Sequence, residues 1–114
     1  MVITESPPVL RKQNRDLETI AHVYKILANP TRLKILLTLE SGSMTFTELM
    51  KTLDINPKTV SSTLTMMGKA GFVRKSYPHQ VYVITPLGRR ILREQVFALH
   101  ESLHTALGIE RGSS

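Results

Sequence analysis

A chain of 114 residues with a formal charge of +6 at pH 7 and no cysteine has room for one domain with a sound core. The lack of cysteine excludes a disulfide framework, a thiolate metal site and a cysteine nucleophile, and the basic balance favours a polyanionic partner. No apolar leader and no apolar run of roughly 18 residues occur, so neither a signal peptide nor a membrane contact is expected, and the cytoplasm is the expected location.

Residues 1–8 are expected to form a flexible terminus, with Ser6-Pro7-Pro8 as cap and start of a first helix that runs to about Ala28. Its first half is basic (Arg11, Lys12, Arg15). Its second half is apolar almost all round: Ile20, Ala21, Val23, Tyr24, Ile26 and Leu27. A helix apolar on more than one face needs more than one covering surface, here its own domain and a partner subunit. His22 is expected to pack with this helix. Asn29-Pro30 repeats the cap-and-proline start, opening a second helix to about Glu40 with Leu33, Leu36 and Leu37 inward. After a turn at Ser41-Gly42-Ser43, Thr45-Phe46-Thr47-Glu48 fits a capping box, in which threonine and glutamate close on each other's backbone N–H groups. The short helix it opens carries Leu49 and Met50 and ends near Leu53.

Asp54 and Ile55 form a tight turn into the next helix, which Asn56 caps and Pro57 begins. Val60, Leu64 and Met67 make one apolar stripe, and Gly71 supplies the left-handed residue that ends it. The opposite face carries Lys58, Ser62, Thr65 and Lys69, flanked by Thr59 and Ser61, and no Asp or Glu occurs from Asn56 to Gln80. Small hydroxyls, an amide and cations can donate to phosphate oxygens and approach base edges. The plainer reading is a solvated helix that lacks acids. Two short helices joined by a tight turn form the helix-turn-helix pattern. After Gly71 the period changes to 2. Phe72–Tyr77 and Gln80–Ile84 read as two strands around a turn at 77–80, with Arg74 and Lys75 on this hairpin. Such a hairpin either lies along DNA or only covers the core.

Thr85-Pro86 opens a last helix to about Leu107, with Gly108 as its stop and 109–114 as a flexible tail. Leu92, Val96, Leu99, Leu103 and Ala106 recur with steps of 4, 3, 4 and 3, the 3.5-residue period of a seam between helices. A homodimer built on the first helix (Ile20, Val23, Tyr24) and this seam is the economical explanation. The expected organisation is a DNA-binding domain over 9–85, including the first dimerisation helix, and a second dimerisation helix over 86–108.

Three segments carry a family resemblance. Leu27-Ala-Asn-Pro-Thr-Arg-Leu-Lys-Ile-Leu36 resembles the opening of the ArsR-type winged-helix repressors. Leu53-Asp-Ile-Asn-Pro-Lys-Thr-Val-Ser-Ser-Thr-Leu64 is similar to that family's recognition helix, and Ala70-Gly-Phe-Val-Arg74 to its entry into the wing. Together they cover residues 20–84 in the family's order. Val83-Ile-Thr-Pro-Leu-Gly-Arg89 looks instead like the start of the last helix in MarR- and PadR-like regulators. The resemblance implies that Lys58, Thr59, Ser61, Ser62 and Thr65 meet the major groove, and that Arg74, Lys75 and His79 touch the DNA backbone. It also implies phosphate contacts from Thr45 and Thr47. The family's metal sensors use cysteines or an Asp-x-His…His-x-x-[His/Glu] set, and this chain has neither, so no cofactor is expected.

Other patterns admit two readings. His100-Glu-Ser-Leu-His104 matches the H-E-x-x-H zinc-protease signature, but downstream only Glu110 could serve as third ligand and no chain remains to build a cleft. The two histidines are either a metal or anion site at the dimer interface or ordinary exposed side chains. Met44, Met50, Met66 and Met67 fit core gaps better than a soft ligand pocket. Arg89, Arg90 and Arg93 stand near a helix N-terminus, where the macrodipole disfavours cations, so they face either an anionic partner or solvent.

The expectation is a mainly α fold with a small β-hairpin, a winged helix-turn-helix dimerising through its N- and C-terminal helices. It would be a homodimeric, sequence-specific regulator binding double-stranded DNA, reading the major groove with helix 57–70 and the backbone or minor groove with wing 72–84. It is not expected to be an enzyme, and any small-molecule effector is unknown. The alternatives are a non-specific architectural DNA binder and a winged-helix protein-interaction module.

Overall fold

The computed structural model describes residues 14–108. They form helices α1 (Asn14–Leu27) and α2 (Pro30–Ser41), strand β1 (Met44–Thr45), helices α3 (Phe46–Leu53) and α4 (Pro57–Lys69), and strands β2 (Val73–Ser76) and β3 (Val81–Ile84). A last helix follows in three parts: α5 (Pro86–Ile91), a π-helical stretch (Leu92–Phe97) and α6 (Ala98–Leu107). The expected start of the first helix at Ser6, its basic residues Arg11 and Lys12, and the tail at 109–114 lie outside the described residues.

The starts of α2, α3, α4 and α5 are each set by a side chain that satisfies an otherwise orphaned backbone N–H. The Asn29 side-chain oxygen accepts from Arg32 N–H at 3.1 Å, and Asn56 does the same for Thr59 N–H at 2.9 Å. The Thr85 hydroxyl accepts from Gly88 N–H at 3.0 Å. The predicted capping box is complete: Thr45 N–H donates to Glu48 Oε1 at 2.8 Å, and Glu48 N–H donates to Thr45 Oγ1 at 3.1 Å. Pro30, Pro57 and Pro86 occupy first helical positions, where their missing N–H costs nothing.

The core gathers Ile26 and Leu27 of α1, Ile35, Leu36 and Leu39 of α2, Leu49 of α3, and Val60, Leu64 and Met67 of α4. Phe72, Val73, Ile84 and Leu92 close it from the sheet and the last helix. Met44, Met50 and Met66 are half-buried against this cluster, as gap-fillers should be.

Several expectations are corrected. The hairpin is part of a three-stranded antiparallel sheet in the order β1-β3-β2, because Met44 and Thr45 pair with Tyr82 and Val81. Two residues before a helix cap give no period-2 signal, so this strand is invisible in the pattern. In α2, Leu37 is exposed, while Ile35 and Leu39 join Leu36 in the core, because α2 packs against α1, α3 and β3 together. His22 is exposed, not packed.

The last helix departs furthest. The sequence predicts a seam of one continuous 3.5-residue period, yet the stretch from Leu92 to Phe97 is π-helical. The wider i→i+5 turn sets the helix back by about one residue, or about 100°. Leu92 therefore points into its own domain's core with no exposed surface and cannot serve a seam with a partner. Leu99 and Leu103, beyond the wide turn, remain exposed. Val96 is half-buried against the core.

Candidate nucleic-acid interface

Helix α4 is held by its apolar stripe, Val60, Leu64 and Met67, with Thr63 also buried on the core side. Its outward side presents Lys58, Ser61, Ser62, Thr65, Gly68 and Lys69 to solvent, and Thr59 is half-buried. Two capping groups at the N-terminal ends of α3 and α4 are already engaged. The Asn56 side-chain oxygen serves Thr59, leaving its amide hydrogens to donate outward. Thr45 gives its N–H to Glu48 and accepts from Glu48 in return, so that N–H is not free to meet a phosphate. Thr47 is exposed beside it. Ser62 donates to the Thr59 carbonyl at 3.2 Å, which turns its lone pairs outward.

Strands β2 and β3 pair from Val73↔Ile84 to Ser76↔Val81, leaving a four-residue tip at 77–80. Arg74 and Lys75 are both exposed on β2. Lys75 Nζ lies 5.5 Å from the Tyr82 ring centroid and 5.8 Å from that of Tyr77, so the ammonium is held over two aromatic faces. Tyr77 and His79 are exposed at the tip.

A groove of about 400 Å³ runs between α4 and the sheet. Ser61, Thr65 and Lys69 line it from the helix, and Arg74 and Lys75 from β2. The structure thus brings five of the candidate residues to one concave surface. Lys58, Thr59 and Ser62 lie elsewhere on the helix, and His79 stands apart at the tip. Among the described residues no carboxylate forms an ion pair with Lys58, Lys69, Arg74 or Lys75. Arg89 instead pairs with Glu40 at 3.1 Å, and Arg90 with Glu94 at 3.0 Å. Arg89 and Arg90 are thus turned toward acids of their own chain.

Five groove residues were not among the candidates, and two of them, Leu64 and Val73, belong to the core. Gly68 continues the helical spacing of Ser61 and Thr65 by three, a signal the sequence does contain. Phe46 and Tyr82 enter only through the β1–β3 pairing, which no local pattern announces.

The base of the wing is fixed by a cluster of backbone bonds. The Thr85 hydroxyl donates to the Gly71 carbonyl, and Thr85 N–H donates to the Phe72 carbonyl at 2.9 Å. Gly71, at φ 84°, takes the left-handed conformation that reverses the chain from α4 into β2. The angle between reading helix and wing is therefore set by Gly71, Phe72 and Thr85.

Comparison with known proteins agrees with this geometry. Residues 29–75 match the model of the bacterial regulatory protein arsR family. The chain is 36% identical over 90 residues, 73% of its own length and 82% of the relative's, to the uncharacterized HTH-type transcriptional regulator MJ0361 of Methanocaldococcus jannaschii. The chain belongs to the ArsR family. It is a winged helix-turn-helix transcriptional regulator of DNA-binding type. Solved structures share the fold. Mb0332 of Mycobacterium bovis, described as a homodimeric winged helix-turn-helix DNA-binding domain and a possible ArsR-family regulator, superposes with a TM-score of 0.65 at 24% identity, covering 90% of this chain and 95% of that one. Rv0081 of M. tuberculosis gives 0.66 at 23% identity, with 90% and 99% covered. Among its described residues this ArsR chain has no helix long and apolar enough to cross a membrane.

No cluster of three or more His, Cys, Asp or Glu side chains suited to a metal occurs among the described residues of this ArsR protein. The rings of His100 and His104 lie with centroids 4.1 Å apart and planes tilted by 48°, and Glu110 lies outside the described residues.

Proposed function

We propose that this ArsR-family chain acts as a homodimer that binds double-stranded DNA with sequence specificity. Helix α4 enters the major groove with Lys58, Thr59, Ser61, Ser62 and Thr65. Lys69, Arg74 and Lys75 hold the backbone that crosses the groove beside the wing, and His79 reaches the flank. Asn56 and Thr47 donate to neighbouring phosphates, and Thr45 can offer only its hydroxyl hydrogen. The observation that carries this reading is the groove between α4 and β2, walled by three cations that no acid of the described chain neutralises. A surface with that much unpaired positive charge is suited to phosphate.

Dimerisation is supported by the large apolar side chains left exposed on α1 and the last helix: Ile20, Tyr24, Leu99, Leu103 and Leu107. Val23 and Val96 are half-buried behind them, and Ala106 is exposed in line with them. A second copy that covers this face would set the two α4 helices about 34 Å apart, one turn of B-DNA. Its two domains would then read a pseudo-palindrome from one side.

Fluorescence anisotropy on the chain's own upstream DNA and on a scrambled duplex, across a salt series, tests the proposal. Tighter binding to the upstream duplex that persists at moderate salt is the expected result. Equal and steeply salt-dependent binding to both would make the protein an architectural DNA binder. No binding at low salt would leave the fold as a protein-interaction module.

A further inference from the structure

The cations that wall the groove differ in how they are held. Lys75 stands directly across the β2–β3 pairing from Tyr82, so the two side chains share one face of the hairpin. Its ammonium lies 5.5 Å from the Tyr82 ring centroid and 5.8 Å from that of Tyr77, nearly equidistant from the two rings. Both distances fall inside the roughly 6 Å within which a ring face attracts a cation. Among the described residues neither Lys69 nor Arg74, the other two cations of the groove, is held by an aromatic ring in this way.

The two rings are anchored differently. Tyr82 is half-buried in the middle strand, paired with Lys75 on one side and with Met44 on the other. Tyr77 is 70% exposed at the wing tip, where burial gives no reason for a large ring. Its contact with Lys75 supplies one. A carboxylate in the place of these rings would fix the ammonium and also cancel its charge. A ring face holds the cation through its quadrupole alone, so the positive charge stays available. The ammonium hydrogens turned away from the rings remain free to donate.

We infer that Tyr82 and Tyr77 are positioning residues for DNA binding, holding Lys75 at the edge of the groove as a phosphate contact fixed in advance. The inference rests on the DNA-binding reading above. A lysine on a free four-carbon stem can follow a phosphate in any register and loses that freedom on binding. A lysine held before the duplex arrives loses less. Its charge also meets a phosphate best where the bases under α4 are in register. The two rings therefore favour the specific duplex over a scrambled one without reading any base.

The test begins with the full chain free of DNA. Protons above a ring face are shielded, so the Lys75 Cε protons should resonate upfield of those of the other lysines in a carbon–proton NMR correlation spectrum. Loss of the signal in Lys75→Arg assigns it. Tyr82→Leu and Tyr77→Leu should each move it back toward the ordinary position, and Tyr82→Phe, which keeps the ring, should not. In fluorescence anisotropy each Leu variant should bind the upstream duplex about two- to fivefold more weakly, and Tyr82→Phe should bind as the parent does. The scrambled duplex should be less affected, and the salt slope should stay unchanged because the charge is still present. In a Lys75→Ala background neither Leu substitution should cost anything further. Tyr77→Leu alters an exposed side chain and carries the test if Tyr82→Leu does not fold.

A Lys75 signal at the ordinary position, or one that neither Leu substitution moves, would overturn the placement of the ammonium whether or not the protein binds DNA. A shifted signal with undiminished affinity in the Leu variants would overturn the positioning role. So would a loss that persists in the Lys75→Ala background, which would make the tyrosines direct contacts. A shifted signal in a protein that takes up no duplex would uphold the held ammonium, and would defeat the DNA-binding reading together with the role that rests on it.

Discussion

Gly88 of α5 rests directly on the backbone of Phe72, so closely that a Cβ at that position would overlap the Phe72 carbonyl oxygen and stand 2.9 Å from Ile84 Cγ1. Neither neighbour can yield, since one is backbone and the other is a core side chain in the strand that leads into α5. Gly88→Ala should therefore destabilise by about 1–3 kcal/mol, the usual cost of overpacking. A thermal melt should show the midpoint falling by roughly 5 °C or more. An unchanged midpoint would mean that α5 does not dock on the wing base as described.

Gly68 is the opposite case. It sits inside α4, where glycine costs about 0.5–1 kcal/mol relative to alanine, and a Cβ there would meet nothing within 4 Å. Nothing inside the domain requires it. Gly68→Ala should raise stability by that amount in a denaturant titration while weakening DNA binding, because the added methyl projects into the groove that the duplex must enter. Stabilisation with undiminished affinity would remove Gly68 from the interface.

Lys69 and Arg74 face each other's side of the groove, and Lys58 stands near the N-terminal end of the helix. If each neutralises one phosphate, replacement by Ala should reduce the slope of log K against log salt by about 0.9 per residue. The loss should be similar on specific and scrambled duplexes, whereas Ser61→Ala or Thr65→Ala should lower affinity mainly for the specific one. A salt slope that does not move in Lys69→Ala would reassign that ammonium to solvent.

Leu92 and Leu99 looked equivalent in sequence and are predicted to behave differently. Leu92→Ala should cost about 2–5 kcal/mol of folding stability, as for any fully buried leucine. Leu99→Glu alters an exposed side chain, so the monomer should remain folded by circular dichroism while sedimentation shows the dimer lost. Retention of the dimer in Leu99→Glu would place the interface elsewhere.

The contrast between those two leucines marks where the sequence stops being informative. Cap-and-proline starts at Asn29, Asn56 and Thr85, and the box at Thr45 and Glu48, depend on three or four consecutive residues, and all were readable. So was the division of α4 into a core stripe and a face without acids. The β1–β3 pairing joins residues far apart in the chain through backbone groups, and backbone carries no letter in the sequence. The wide turn at 92–97 is likewise set by how the last helix must fit against α1 and the wing base. Its residues, Leu-Arg-Glu-Gln-Val-Phe, have unremarkable helical preferences. The groove was half legible: Ser61, Thr65, Lys69, Arg74 and Lys75 were named from pattern, but their meeting at one concavity depends on the angle fixed at Gly71 and Thr85.

That wide turn also gives the chain a form of freedom. A helix that already contains one surplus residue can lose it without breaking any contact upstream. Deletion of a single residue between 92 and 97 would restore the ordinary pitch and leave the faces of α6 nearly where they are, because the wide turn already holds the helix back by about one residue. The loss of one codon in this stretch would therefore change neither the face that α6 presents nor the surface of α4.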